Sequence, residues 1–376
     1  MRIKILLIFL LCFTAVSSFP VFAEDEPATL PPEYGDFLSE IPSDIAELLP
    51  DGLFESDLDS VYGASGEMTD FSYLLGALLE AVGLCMSDCI RLLILLLAIV
   101  FIGSIFNGTG DMLGASKSSL TFCVKLVMFS AIAGSAVGIV GEVTEYFNRL
   151  NVLTAATAPV MGVLYALGGN LTSAVISGEM MSIFLSVCQY VNSSTVVPVF
   201  SLLLAFALMS AVSGGLRLSV ISDTVKRWYV SFLGIIMTVL SIAMGLQSAL
   251  ASKADGVTMK GLKYMISTSI PVVGGAISGS MSSLAAGVGL MRTTFGVTVT
   301  VILILMLLPL LVKLILYKHT FELAATVAEL MGGGGEGKLL RDISGMYGFL
   351  LAAASISSVV LILAVTLLSN TAAAYG

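Results

Sequence analysis

The sequence predicts an all-α fold: a polytopic membrane helical bundle with two discontinuous or re-entrant segments, following a cleaved signal peptide. Three observations carry this. Hydrophobic residues make up 57% of the 376-residue chain and charged residues only 11%, where a soluble domain carries about 25% charge to keep its surface wet. Six apolar stretches approach the roughly 20 residues needed to cross a hydrocarbon core. Thirty-seven glycines supply the small residues at which membrane helices approach one another closely.

Residues 1–23 have the three parts of a secretory signal. Arg2 and Lys4 form the basic start, Ile5 to Phe13 the apolar core, and Val21-Phe22-Ala23 the cleavage site. Leu11 before Cys12 is too large for a lipoprotein site. Cleavage leaves Glu24 outside the cytoplasm. Residues 24–70 read as an acidic, partly disordered extracytoplasmic segment. Fourteen of the 26 acids lie there with no Lys or Arg, among Pro27, Pro31, Pro32, Pro42 and Pro50. Short apolar groups such as Ile45 to Leu49 suffice for one or two helical turns.

Residues 71–376 make the multi-span membrane domain. It opens with an amphipathic helix over 71–90, lying on or entering the outer surface. Spans follow near 91–106, 120–141, 195–216, 229–251, 294–316 and 346–368. Lys125 and Lys313 stand near span ends, where long stems reach the interface. Trp228 and Tyr229 follow Lys226-Arg227, as in the basic and aromatic girdle of a membrane interface.

Two further apolar stretches are interrupted: 156–191 by Pro159, Gly168-Gly169 and Glu179, and 264–291 by Pro271, Gly274-Gly275 and Gly279. Irregular backbone survives at membrane depth only where protein or water covers it, so both predict re-entrant hairpins or broken helices. Pro159-Val160-Met161-Gly162 and Pro271-Val272-Val273-Gly274 share a pattern. Transporters built from repeats show such pairs, although Pro-Val-x-Gly also arises by composition alone. The candidate channel or gating residues are Pro159, Gly162, Glu179, Asp255, Pro271 and Gly274. Glu179 stands either on a pathway within the membrane or at its wet interface.

Other function classes find no support. No basic stripe exists for nucleic acid. Gly332 to Lys338 has the spacing of a phosphate loop, but Leu339 stands where Ser or Thr must hold Mg²⁺, and a helical pattern precedes it. A flexible cytoplasmic linker fits better. Cys85 and Cys89 lie one helical turn apart, and a metal site would need further ligands, with the single His319 remote. No triad, paired catalytic carboxylates or dinucleotide fingerprint is visible, so catalytic, cofactor-binding and metal residues are expected to be none. Gly134-x3-Gly138 and Gly275-x3-Gly279 predict close helix packing, within the chain or between copies.

Residues Ser248 to Thr258, reading Ser-Ala-Leu-Ala-Ser-Lys-Ala-Asp-Gly-Val-Thr, and Ile270-Pro271-Val272-Val273-Gly274 are specific enough to compare. Together with Ser219-Val220-Ile221-Ser222-Asp223 and Lys226, they resemble the stage III sporulation protein AE family of endospore formers. The resemblance implies a non-enzymatic multi-pass subunit of the channel or secretion-like complex between mother cell and forespore. Such a protein sits in the mother-cell-derived membrane around the forespore and serves late forespore gene expression. The implied partners are the other stage III A proteins, namely ring-forming subunits, small membrane subunits and a secretion-type ATPase, and indirectly stage II sporulation protein Q. Neither a cofactor nor catalytic residues come with it. The alternatives are a secondary transporter, on the possible repeat and Glu179, and a pure membrane scaffold.

Overall fold

The computed structural model describes residues 30–55, 57–108, 116–168, 170–213, 218–269 and 274–370. All their regular elements are helices, the form in which an apolar chain satisfies its backbone polar groups within one segment. The acidic segment supplies α1 (Glu33–Ser39), α2 (Ser43–Ala46), a 3-10 turn (Asp51–Phe54) and α3 (Leu58–Met68). Pro32, Pro42 and Pro50 precede the first three of these, because proline disfavours helix in the residue before it. Asp57 caps α3 by accepting the Ser60 N–H at 3.2 Å, satisfying one of the donors that a helix start leaves free.

The membrane part comprises α4 (Phe71–Gly108), α5 (Ser116–Leu167), α6 (Leu171–Val191), α7 (Val197–Ser213), α8 (Leu218–Ser269), α9 (Gly274–Leu330) and α10 (Gly334–Asn370). Among the described residues, five segments are long and apolar enough to cross a membrane: Phe71–Phe106, Phe122–Leu167, Val220–Leu246, Val288–Leu330 and Gly334–Thr366. The chain is therefore an all-helical integral membrane protein. The stretch predicted at 195–216 corresponds to a shorter apolar helix, Ser194–Ser210. Nor is the amphipathic stretch 71–90 a separate element. No proline interrupts it, and it runs on into the first span as one helix.

Side-chain pairs fix how the helices run. Tyr165 and Glu142 of α5 meet Arg292 and Lys313 of α9, so these two are antiparallel. Cys85 and Ser104 of α4 meet Pro309 and Met331, so α4 and α9 are parallel. Ser369 and Ser344 of α10 meet Arg292 and Lys318, which folds α10 back along α9. This α9–α10 hairpin is the centre of the bundle: 72% of the most apolar window of each helix is buried, against 17% for α8. Helix α9 alone is far longer than a hydrocarbon core is thick. A rise of about 1.5 Å per residue gives it a length of about 85 Å, against about 30 Å of hydrocarbon. Around Phe295 it is covered by the acidic segment, where Tyr34 and Phe37 set their rings 6.0 and 5.0 Å from that of Phe295. Arg149 of α5 clamps Asp44 of that segment with N–O distances of 2.8 and 2.9 Å.

Two breaks depart from expectation. Helix α5 passes through Pro159, whose ring lies on an exposed face, and ends eight residues later. The turn comes instead at Gly168, whose N–H reaches the Leu164 carbonyl at 3.2 Å, with the Asn170 N–H on the Tyr165 carbonyl at 2.9 Å. The second copy of the shared tetrapeptide starts at Pro271, which lies outside the described residues. The glycine-rich stretch 332–338 is likewise no flexible linker. Gly332 takes φ +81° and the Gly333 N–H reaches the Ala328 carbonyl at 2.8 Å, a helix stop that glycine adopts without a Cβ clash. From Gly334 the chain is helical again, and Arg341 pairs with Glu329 across the turn at 2.6 Å.

Candidate functional site

The interior of the bundle carries a polar seam along α10. Tyr347 donates its hydroxyl to Ser135 on α5 at 3.3 Å. Eleven residues further along both helices, Tyr146 meets Ser358, whose own proton goes to the Ala354 carbonyl at 2.7 Å. Eleven residues are close to three helical turns, so the same faces of two parallel helices meet twice. Beside this pair, Ser357 donates to the Asn192 side-chain oxygen at 2.7 Å.

Asn192 opens a π-helical turn, Asn192–Val196, that joins α6 to α7. A π turn inserts an extra residue and shifts the side chains on either side of it. Here Asn192 faces α10, while Thr195 bonds the Tyr229 hydroxyl on α8. Asn192 is completely buried and its Nδ2 has no hydrogen-bond partner. Four helices thus meet through side-chain polar groups inside an apolar bundle, where each unsatisfied group is costly.

Alongside the seam, between Ser135 and Tyr146 on α5, Glu142 pairs with Lys313 of α9. The sequence suggested a stem reaching for the interface; the structure gives that stem a half-exposed carboxylate partner, with the Tyr317 ring 6.0 Å away. Cys85 and Cys89 are buried free thiols on the adjoining face of α4, and Cys85 lies 4.0 Å from the Pro309 carbonyl. Among the described residues no three His, Cys, Asp or Glu side chains gather as a metal site.

The residues singled out from sequence are dispersed. Pro159 and Glu179 are exposed, on α5 and α6 respectively, and Gly162 is half-buried on α5. Asp255 lies in α8 and Gly274 begins α9; the Asp255 side chain and Pro271 lie outside the described residues. Among the described residues, Gly134 and Gly138 seat no neighbouring helix, since a Cβ at either would meet nothing within 4 Å. Close approach occurs at Gly296 instead, against Ser369. Of the expected girdle, Trp228 points outward, whereas Tyr229 turns inward to Thr195 and to Phe349, 5.3 Å away. Sequence reasoning passed over Asn192, Tyr146 and Ser358. One signal was available: Asn192-Ser-Ser-Thr195 is a polar quartet between two apolar runs, too abrupt for a lipid-facing surface.

Fold and seam together define a class: an integral membrane helical bundle whose interior polar groups join helix to helix. More particularly, the chain belongs to the stage III sporulation protein AE family, whose profile matches residues 59–372. It is 22% identical over 340 residues to "Stage III sporulation protein AE" of Bacillus subtilis (strain 168), a match covering 89% of this chain and 84% of that protein. No solved structure matches the chain. Membership supports a role in sporulation.

Proposed function

We propose that the protein is a non-enzymatic multi-pass subunit of a channel or secretion-like complex joining mother cell and forespore. Family membership over most of the chain carries this reading. In it, a signal peptide over residues 1–23 sends the acidic segment outside the cytoplasm, in the mother-cell-derived membrane around the forespore. The exposed acids of α1 to α3 then face basic surfaces of ring-forming partners in the other stage III A proteins. A secretion-type ATPase works from the cytoplasmic end, and stage II sporulation protein Q joins indirectly.

Within the complex, the 156–191 and 264–291 stretches line or gate a passage. The α5–α6 turn at Gly168 is a discontinuity of that passage, and the seam around Asn192 is the polar contact remade when helices shift. Glu179 is exposed rather than enclosed, which favours the complex over a self-sufficient transporter. A sporulating deletion strain is the test: it should complete engulfment and lose late forespore transcription. Full transcription in that strain refutes the proposal. Cysteine-accessibility labelling along 156–191 separates conduit from scaffold, since a dry, unlabelled pattern supports the scaffold.

A further inference from the structure

Arg292 is the most enclosed cation of the described bundle, at 2% exposure. Its Nε–H donates to the Ser369 carbonyl at 3.0 Å, and its guanidinium carbon lies 4.8 Å above the Tyr165 ring. Its Nη2 is buried and has no hydrogen-bond partner. The ion pairs among the described residues each join a base to a carboxylate, and none includes Arg292. A guanidinium keeps its charge under all ordinary conditions. With no counter-charge among the described residues, it carries an uncompensated desolvation penalty, and a carbonyl and a ring face answer only part of it.

The surroundings are ends rather than middles. Tyr165 is in the last turn of α5, and Gly168 makes the turn to α6, where an added Cβ would touch Val288, one helical turn from Arg292. Ser369 is in the last turn of α10. Helix ends open at lower free energy than helix centres, so this corner can admit a ligand without parting the core. The amino end of α6 begins at Leu171 beside the same turn, and a helix amino end favours negative charge.

We propose that Arg292 anchors a phosphate-binding site at this corner of the α9–α10 hairpin. A guanidinium makes short, charge-assisted hydrogen bonds to phosphate oxygens, and Nη2, left without a partner, is the donor free for that bond. The phosphate comes either from a lipid headgroup or from a soluble phosphate. The inference stands apart from the sporulation reading, because it needs only the buried cation.

The full chain purified into neutral phosphatidylcholine nanodiscs gives the test, read as the thermal midpoint of unfolding. One arm adds inorganic phosphate; the other replaces part of the lipid with phosphatidylglycerol. Wild type should rise in at least one arm, and Arg292→Gln should bind the same probe roughly tenfold or more weakly. A rise with phosphatidylglycerol alone assigns a lipid headgroup; a rise with inorganic phosphate assigns a soluble ligand. Without either probe, Arg292→Gln should be at least as stable as wild type, since it removes an unpaired charge. The proposal is overturned if wild type responds to neither probe, or if Arg292→Gln responds equally. It also fails if Arg292→Gln collapses in neutral discs, which would mean that the charge is already compensated within the chain.

Discussion

Gly296 is where the central hairpin is tightest, and substituting it tests the packing directly. A Cβ built there would lie 1.8 Å from the Ser369 Oγ, 2.4 Å from its Cβ and 3.7 Å from its Cα. Rotating the serine side chain moves Oγ but leaves Cβ in place. Carbon atoms sit at about 3.5 Å or more, so the two helix backbones must separate by about 1 Å. Overpacking of this kind costs about 1–3 kcal/mol, while alanine recovers about 1 kcal/mol of helix propensity over glycine. Given so short an approach, Gly296→Ala should lose about 2 kcal/mol net. Adding Ser369→Gly removes both clashing atoms and leaves an ordinary 3.7 Å contact. The carbonyl that Arg292 uses belongs to the backbone and survives. The double variant should therefore return close to wild type, a coupling of about 2 kcal/mol. Thermal unfolding of the three variants in the same detergent measures it. A Gly296→Ala protein as stable as wild type, or a double variant no better than the single one, refutes the packing argument.

The seam offers a second test: Asn192→Leu strands the Ser357 hydroxyl in a buried site and should cost about 1–3 kcal/mol, while adding Ser357→Ala restores part of the loss. Unchanged stability in the single variant would count against the π-turn contact. A double-mutant cycle on Lys313→Met and Glu142→Gln should give a coupling of about 1 kcal/mol, modest because Glu142 is partly exposed; zero coupling removes the pair. Replacing Gly332 by alanine forces φ +81° on a residue with a Cβ and should cost about 1–2 kcal/mol, with Gly332→Asn milder; equal stability for all three sinks the helix-stop assignment. Burial pushes the Tyr34 phenol well above its ordinary value of 10.0, while its hydroxyl donates to the Leu53 carbonyl at 2.9 Å. A raised value means that the stabilisation is full below pH about 10 and is lost as pH rises further. Proteolysis of the acidic segment should accelerate above that pH in wild type, with a weaker pH response in Tyr34→Phe.

Composition alone determined that this chain is a membrane helical bundle, because too few charges exist to clothe a soluble surface. The apolar runs placed most spans for the same reason: length and hydropathy are local properties. Charge pattern also marked residues 24–70 as distinct, although not that Phe37 seats against Phe295. Tertiary structure decided the rest. Proline and glycine look alike as breakers in sequence, yet α5 absorbs Pro159 on an exposed face and turns at Gly168, where the backbone has its hydrogen-bonded stop. Lys313 reads as a span-end lysine in sequence, and only the fold shows that α5 supplies Glu142, 171 residues away, as its partner. The inner polar contacts, Asn192 with Ser357 and Tyr146 with Ser358, join residues 165 and 212 positions apart. Which face of a helix turns inward depends on what the other helices present to it. A single stretch of sequence does not hold that information; the packed bundle does.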